Sequence, residues 1–225
     1  MTSPPPSAFR EFRKALGALA PPVLLALTLP ALAHAGVFDG KRQGLVLSSA
    51  IGFSPDVTVG SRNLRPRAEH MGIGLITQAS AGVGLSDHDV ILCRIRATEY
   101  TLSYWDAKQS RLFAGPVLVH YFGRLGRSFE ANVGAGVVKE KTTDFSCGCF
   151  YYCIFPPCPP YSCENPCPAV VPPEGNGFAC QLGVGYEFNR LCEIGLHGLF
   201  GKISDPTQGD WTIRQFGMEV QVSGF

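Results

Sequence analysis

The sequence predicts an all-β fold: an eight-stranded antiparallel up-and-down β-barrel that crosses a membrane and carries one long Cys/Pro-rich outer loop. Three observations predict it. Apolar and non-apolar residues alternate with period two in eight segments, as strands with two unlike faces do. In most of these segments one face is large and apolar, and the other is Gly, Ala, Ser and polar residues, which is poor material for a close-packed soluble core. The connections also alternate between short and longer, as in barrels with tight turns on one side of a membrane and loops on the other.

Composition narrows the function classes. Lys and Arg number 19 against 18 Asp and Glu, so no basic face marks a nucleic-acid partner. With 45% apolar and 11% aromatic residues, the chain is not intrinsically disordered.

Residues 1–35 read as a secretory signal peptide. Arg10, Arg13 and Lys14 form a basic start, Ala15 to Leu32 carry no charge, and Ala33-His34-Ala35 is the small-x-small pattern cut after Ala35. Pro21, Pro22 and Pro30 interrupt the apolar run, leaving it short of the roughly 20 residues of a spanning helix. Residues 36–225 then form the barrel, with 141–176 as an inserted loop.

The first segment, 44–53, sets Leu45, Leu47, Ile51 and Phe53 against Gly44, Val46, Ser48, Ala50 and Gly52. In 71–85, Met71, Ile73, Leu75, Val83 and Leu85 oppose Gly72, Gly74, Ile76, Gln78, Ser80, Gly82 and Gly84. Segment 90–98 opposes Ile91, Cys93, Ile95 and Ala97 to Leu92, Arg94, Arg96 and Thr98. In 112–122 both faces are apolar and Pro116 removes a ladder hydrogen bond. Segment 129–137 places Phe129, Val133 and Val137 opposite Glu130, Asn132, Gly134 and Gly136. In 178–188, Phe178, Cys180, Leu182, Val184, Tyr186 and Phe188 oppose Ala179, Gln181, Gly183, Gly185 and Glu187. Segment 192–200 sets Cys192, Ile194, Leu196 and Phe200 against Glu193, Gly195 and His197, and 215–222 sets Phe216, Met218, Val220 and Val222 against Gln215, Gly217, Glu219 and Gln221. Short links fall near 86–88, 123–127 and 189–190, and the longer ones near 54–69, 104–110, 141–176 and 202–210.

On this phase Arg94, Arg96, Glu130, Glu187, Glu193 and Glu219 point into a narrow interior, where charges have to be paired or hydrated. They are expected to form a polar network that plugs the lumen. A small gated ion channel is the alternative, because charged rings set selectivity in pores. A soluble lipocalin-like barrel is the lesser alternative, and it would require the apolar faces to turn inward.

Gly40-Lys41-Arg42-Gln43-Gly44 opens the first strand, Gly82-Val83-Gly84-Leu85-Ser86-Asp87 ends the second, and Gly183-Val184-Gly185-Tyr186-Glu187-Phe188 ends the sixth. In that order they make the chain resemble the small OmpA/OmpX-type outer-membrane barrels, over roughly 37–140 and 177–225. The resemblance implies a place in the bacterial outer membrane with periplasmic termini, membrane lipid as the surroundings, and a structural or surface-interaction role. It also implies that Phe225 is the C-terminal aromatic read by the barrel-assembly machinery. Phe225 is out of phase with Phe216, Met218, Val220 and Val222, so a bulge at Gly224 is expected to turn it outward. The His-x-Ser element of the barrel deacylases is absent, since Tyr121-Phe122 follow His120. No catalytic residue, cofactor or metal site is expected.

Cys147, Cys149, Cys153, Cys158, Cys163 and Cys167 share the loop with eight prolines between Pro156 and Pro173. In an exported segment they read as three disulfides with fifteen connectivities, and zinc binding is the alternative. The aromatic residues among them, including Tyr151, Tyr152 and Tyr161, suggest a surface for an extracellular ligand. Cys93, Cys180 and Cys192 lie on the apolar phase and are expected to be free thiols.

Overall fold

The computed structural model describes residues 42–61, 69–102, 107–145 and 173–225. The proposed signal peptide and all six loop cysteines lie outside them. Eight strands follow in chain order: β1 Gly44–Ser61, β2 Glu69–Gly84, β3 Asp89–Leu102, β4 Ala107–Tyr121, β5 Ser128–Phe145, β6 Gly175–Glu187, β7 Cys192–Asp205 and β8 Gly209–Gly224. Each pairs antiparallel with its sequence neighbour, and β1 also pairs with β8, which closes the barrel. Closure leaves no sheet edge unpaired, as lipid requires.

The apolar phases of the sequence face outward. Ile73, Phe129 and Phe178 are 69%, 67% and 76% exposed. From Phe178 to Phe188 this outward face runs about 34 Å along the strand at about 3.4 Å per residue. A tilt of about 40° reduces it to about 26 Å of height, close to the roughly 25 Å apolar band of a membrane barrel.

The strands are longer than the alternation suggested, and they lengthen at the loop end. Residues 54–61, 99–102, 138–145, 201–205 and 209–214 are strand, where the sequence predicts connections or strand ends. The β7–β8 link shrinks to Pro206–Gln208, so short and longer links do not alternate strictly. The physical reason is a change of sides. Outward positions turn polar at one level, at Glu99, Lys139, Lys202 and Arg214, while Tyr100, Val138, Ile203, Trp211 and Ile213 fill the inside. Above that level the outside is polar and the inside is largely apolar, with Gln109, Arg111 and Glu140 buried among the apolar side chains. On β1 a one-residue bulge between Ser54 and Val57 makes the switch, bringing Val57 and Val59 inward. The β5–β6 and β7–β8 ladders are unbroken across the change.

Pro116 costs what its missing N–H predicts. β4 stays paired with β3 through Gly115 and Pro116, but its register with β5 skips from Ala114 to Val117. At Gly82 the chain approaches β3 so closely that a Cβ would strike the Ile91 carbonyl.

Candidate functional site

The interior is layered. At the turn end Val46, Val90, Leu92, Val117, Val119, Tyr121 and Phe225 form one apolar cluster. At the loop end Val57, Val59, Tyr100, Phe113, Trp211 and Ile213 belong to another. Between them lies a polar band. The expected interior of small and polar side chains is therefore only its middle part, and both apolar layers were missed. The alternation of Trp211 and Ile213 with Asp210, Thr212 and Arg214 was a signal for the upper one.

Phe225 departs from its expected orientation. β8 runs without a bulge from Gly209 to Gly224, so Phe225 keeps the inward phase of Glu219, Gln221 and Ser223. It is 5% exposed and meets Tyr121 edge-on, with centroids 6.2 Å apart. Burial against an aromatic partner replaces the expected kink.

All six interior charges singled out from the sequence are buried. The Arg96 guanidinium donates to Glu219 Oε2 at 2.9 Å and to Gln78 Oε1 at 2.6 Å. Gln78 donates to Gln221, and Gln221 to Ser223, both at 3.1 Å. Thus β3, β8 and β2 are joined across the interior. Arg94 donates from Nε to Ser80 at 3.2 Å. Asn132 donates to Glu130 at 3.0 Å and accepts from Gln181 at 3.1 Å. The Tyr121 hydroxyl points at Glu193, 3.5 Å away.

Two further ion pairs escaped the sequence reading. Arg111 grips Glu140 with Nε and Nη2 at 2.8 and 3.3 Å, and it also donates to Gln215 and the Tyr100 hydroxyl at 3.2 Å. It lies on a part of β4 where no strand was expected. The other pair joins Arg42, just before β1, to Glu187. Arg42 Nη1 also donates to the carbonyls of Asp87 and Gly123 at 2.8 and 2.9 Å, and its guanidinium stacks 3.9 Å over the Tyr121 ring. One buried arginine thus ties two turns and β6 together. Its place beside the glycine-rich opening of β1 gave no hint of this.

Several buried polar atoms make no hydrogen bond: Arg94 Nη1, Arg96 Nη1, Glu130 Oε2, Gln181 Oε1 and both ring nitrogens of His197. Glu219 Oε2 lies 3.6 Å from His197 Nδ1. His88 Nδ1 faces the Tyr121 carbonyl and His120 Nδ1 faces Asp89, each at 2.8 Å. Among the described residues no group of three or more His, Cys, Asp or Glu is placed to hold a metal ion. Cys93, Cys180 and Cys192 are free thiols. Cys180 stands opposite Phe200 and Cys192 opposite Val222, so their registers do not bring them together.

No family model and no curated protein matches the chain. Solved structures do. Neisserial surface protein A is 10% identical, covering 80% of this chain and 97% of its own, with a TM-score of 0.49. Ail, the attachment invasion locus protein of Yersinia pestis, is 10% identical over 80% of this chain and 99% of its own, at 0.44. The outer membrane enzyme PagL is 12% identical over 79% and 98%, at 0.45. At such identities the likeness is one of fold.

Proposed function

We propose that this chain is a bacterial outer-membrane barrel with a structural or surface-interaction role, its interior closed to solutes and its cysteine-rich outer loop serving as the recognition surface. The observation that carries this is the belt of exposed apolar side chains around a closed barrel. Left in water, such a belt would be a large apolar surface of the kind that drives association. Hydrocarbon removes the problem. The termini and tight turns then belong on the periplasmic side, and the loop on the cell surface.

Closure of the interior is supported by the two apolar layers, one on each side of the polar band. Hydrophobic constrictions exclude ions by dewetting. A gated ion path is the second reading, and the unpaired Arg94, Arg96, Glu130 and His197 atoms in the middle favour it.

The test refolds the protein without residues 1–35 into detergent and compares heated and unheated mobility on a gel, then records conductance in planar bilayers. A heat-dependent shift with no conductance above leak is expected. A soluble protein without the shift would overturn the membrane assignment, and discrete conductance steps would favour the gated path.

A further inference from the structure

The turn end carries a basic cleft that the interior network does not use. Residues Arg124, Leu125, Gly126 and Arg127 of the β4–β5 turn, with Phe188, Asn189 and Arg190 of the β6–β7 turn, line a hollow of about 560 Å³. Arg124, Arg127 and Arg190 are exposed. None of the three has an ion pair or a side-chain hydrogen bond to the described protein. Among the described residues, acids at this end are committed elsewhere: Glu187 to Arg42 and to the Gly126 N–H at 2.9 Å, and Asp89 to His120 and Ser86. Asp87 accepts from Gln43 at 3.5 Å.

The cleft is held rigidly. Gly126 has a φ of +91°, and a Cβ there would sit 3.4 Å from the Arg190 stem, so a glycine suits both the turn and the closeness of the second turn. Arg42 fixes the first turn from below through the Gly123 carbonyl. These contacts set the two turns side by side, where they present three guanidinium groups.

The surroundings select the ligand. Phe122, Phe129 and Phe188 lie beside these arginines on the outward apolar phase, and all three are exposed. Cations directly above an aromatic rim fit a molecule with an anionic head and an apolar tail. We infer that this cleft binds the phosphate of an anionic phospholipid in the adjoining leaflet. The inference rests on the membrane reading above. Arginine suits phosphate because its planar fork offers paired donors.

The test inserts the protein into vesicles of phosphatidylcholine containing a minority of phosphatidylglycerol, extracts it in mild detergent, and counts retained lipid by native mass spectrometry. R124Q/R127Q/R190Q is compared with K139Q/K202Q, which removes charge at the opposite end. Each basic residue near an anionic surface contributes roughly fivefold in affinity, so the triple variant is expected to retain phosphatidylglycerol about a hundredfold less tightly. The control pair is expected to match the unaltered protein. Equal retention in all three proteins overturns the inference, as does displacement of the lipid by millimolar inorganic phosphate. The heat-dependent gel shift is read on each variant. Its loss in the unaltered protein would count against the membrane barrel, whereas a preserved shift with unselective lipid retention would count against the cleft alone.

Discussion

Val133 offers a direct measure of which side of the barrel meets hydrocarbon. It points outward from β5, half exposed, between Leu118 and Leu182 on the neighbouring strands, and both of these are exposed as well. It therefore sits in the middle of the apolar belt. Val133→Arg is expected to destabilise the barrel by about 2–4 kcal/mol, the range for a cation at the bilayer midplane on the lipid face. At about 1.4 kcal/mol per factor of ten, the folding constant drops by about 30- to 700-fold. The internal reference is Ser110→Arg on β4, outward but above the level where the surface turns polar, and directly opposite Glu99. There the cost is expected to fall to about 0–1 kcal/mol, as near a membrane interface. Reversible guanidinium unfolding from lipid vesicles, followed by tryptophan fluorescence, reads both. Equal effects of the two substitutions, or no effect of Val133→Arg, would mean that the belt does not face lipid.

Four further outcomes are expected. Arg96→Met leaves Glu219 buried without its partner and should cost about 3–5 kcal/mol, while Arg96→Met with Glu219→Met should recover most of it, as read from denaturant midpoints. Ile213→Ala, in the fully buried loop-end layer, should cost about 2–5 kcal/mol in the same assay through the cavity it leaves. Gly82→Ala places a methyl against the Ile91 carbonyl on β3 and should lower the temperature at which the gel shift is lost. Alkylation of the unreduced exported protein should label three cysteines by mass, Cys93, Cys180 and Cys192, and all nine after reduction; six or more labelled without reductant would exclude the disulfide-stapled loop.

The architecture was largely legible in the sequence, because within the belt most strands obey a single rule. Large apolar residues such as Ile73, Val133 and Leu182 point out, and Gln78, Asn132 and Gln181 point in. The rule fails where the surroundings change from lipid to water. At that level the buried phase becomes the apolar one, so Val138 follows Val137 and Ile203 comes three residues after Phe200. Alternation scored with one fixed polarity reads such a stretch as a loop, and so 201–205 and 209–214 fall outside the segments read from the sequence. Arg111 and Glu140 were lost for the same reason. Arg42 was lost for another: its partners Asp87, Gly123 and Glu187 lie 45, 81 and 145 residues away, and only closure of the barrel brings them together.

The same inversion explains why the interior is polar where it is. At belt height the outward face already supplies the apolar surface, and an apolar interior at that level would make each strand hydrophobic on both faces. If, as proposed, the chain is exported through one membrane before it folds into another, such runs would be a liability, because the export machinery inserts sufficiently apolar segments as helices. Alternation with Gly, Gln and charged residues keeps every strand below that limit. Where β4 departs from it, Val117-Leu118-Val119 is bounded by Pro116 and His120. The apolar interior layers are placed mainly at the two ends, the upper one where the outward face has become polar and the lower one where the strands meet their turns. Ion pairs such as Arg96–Glu219 then follow from this arrangement. A charge facing a narrow lumen beside hydrocarbon is stabilised by a partner, and for Arg96 that partner is supplied from the far side of the barrel.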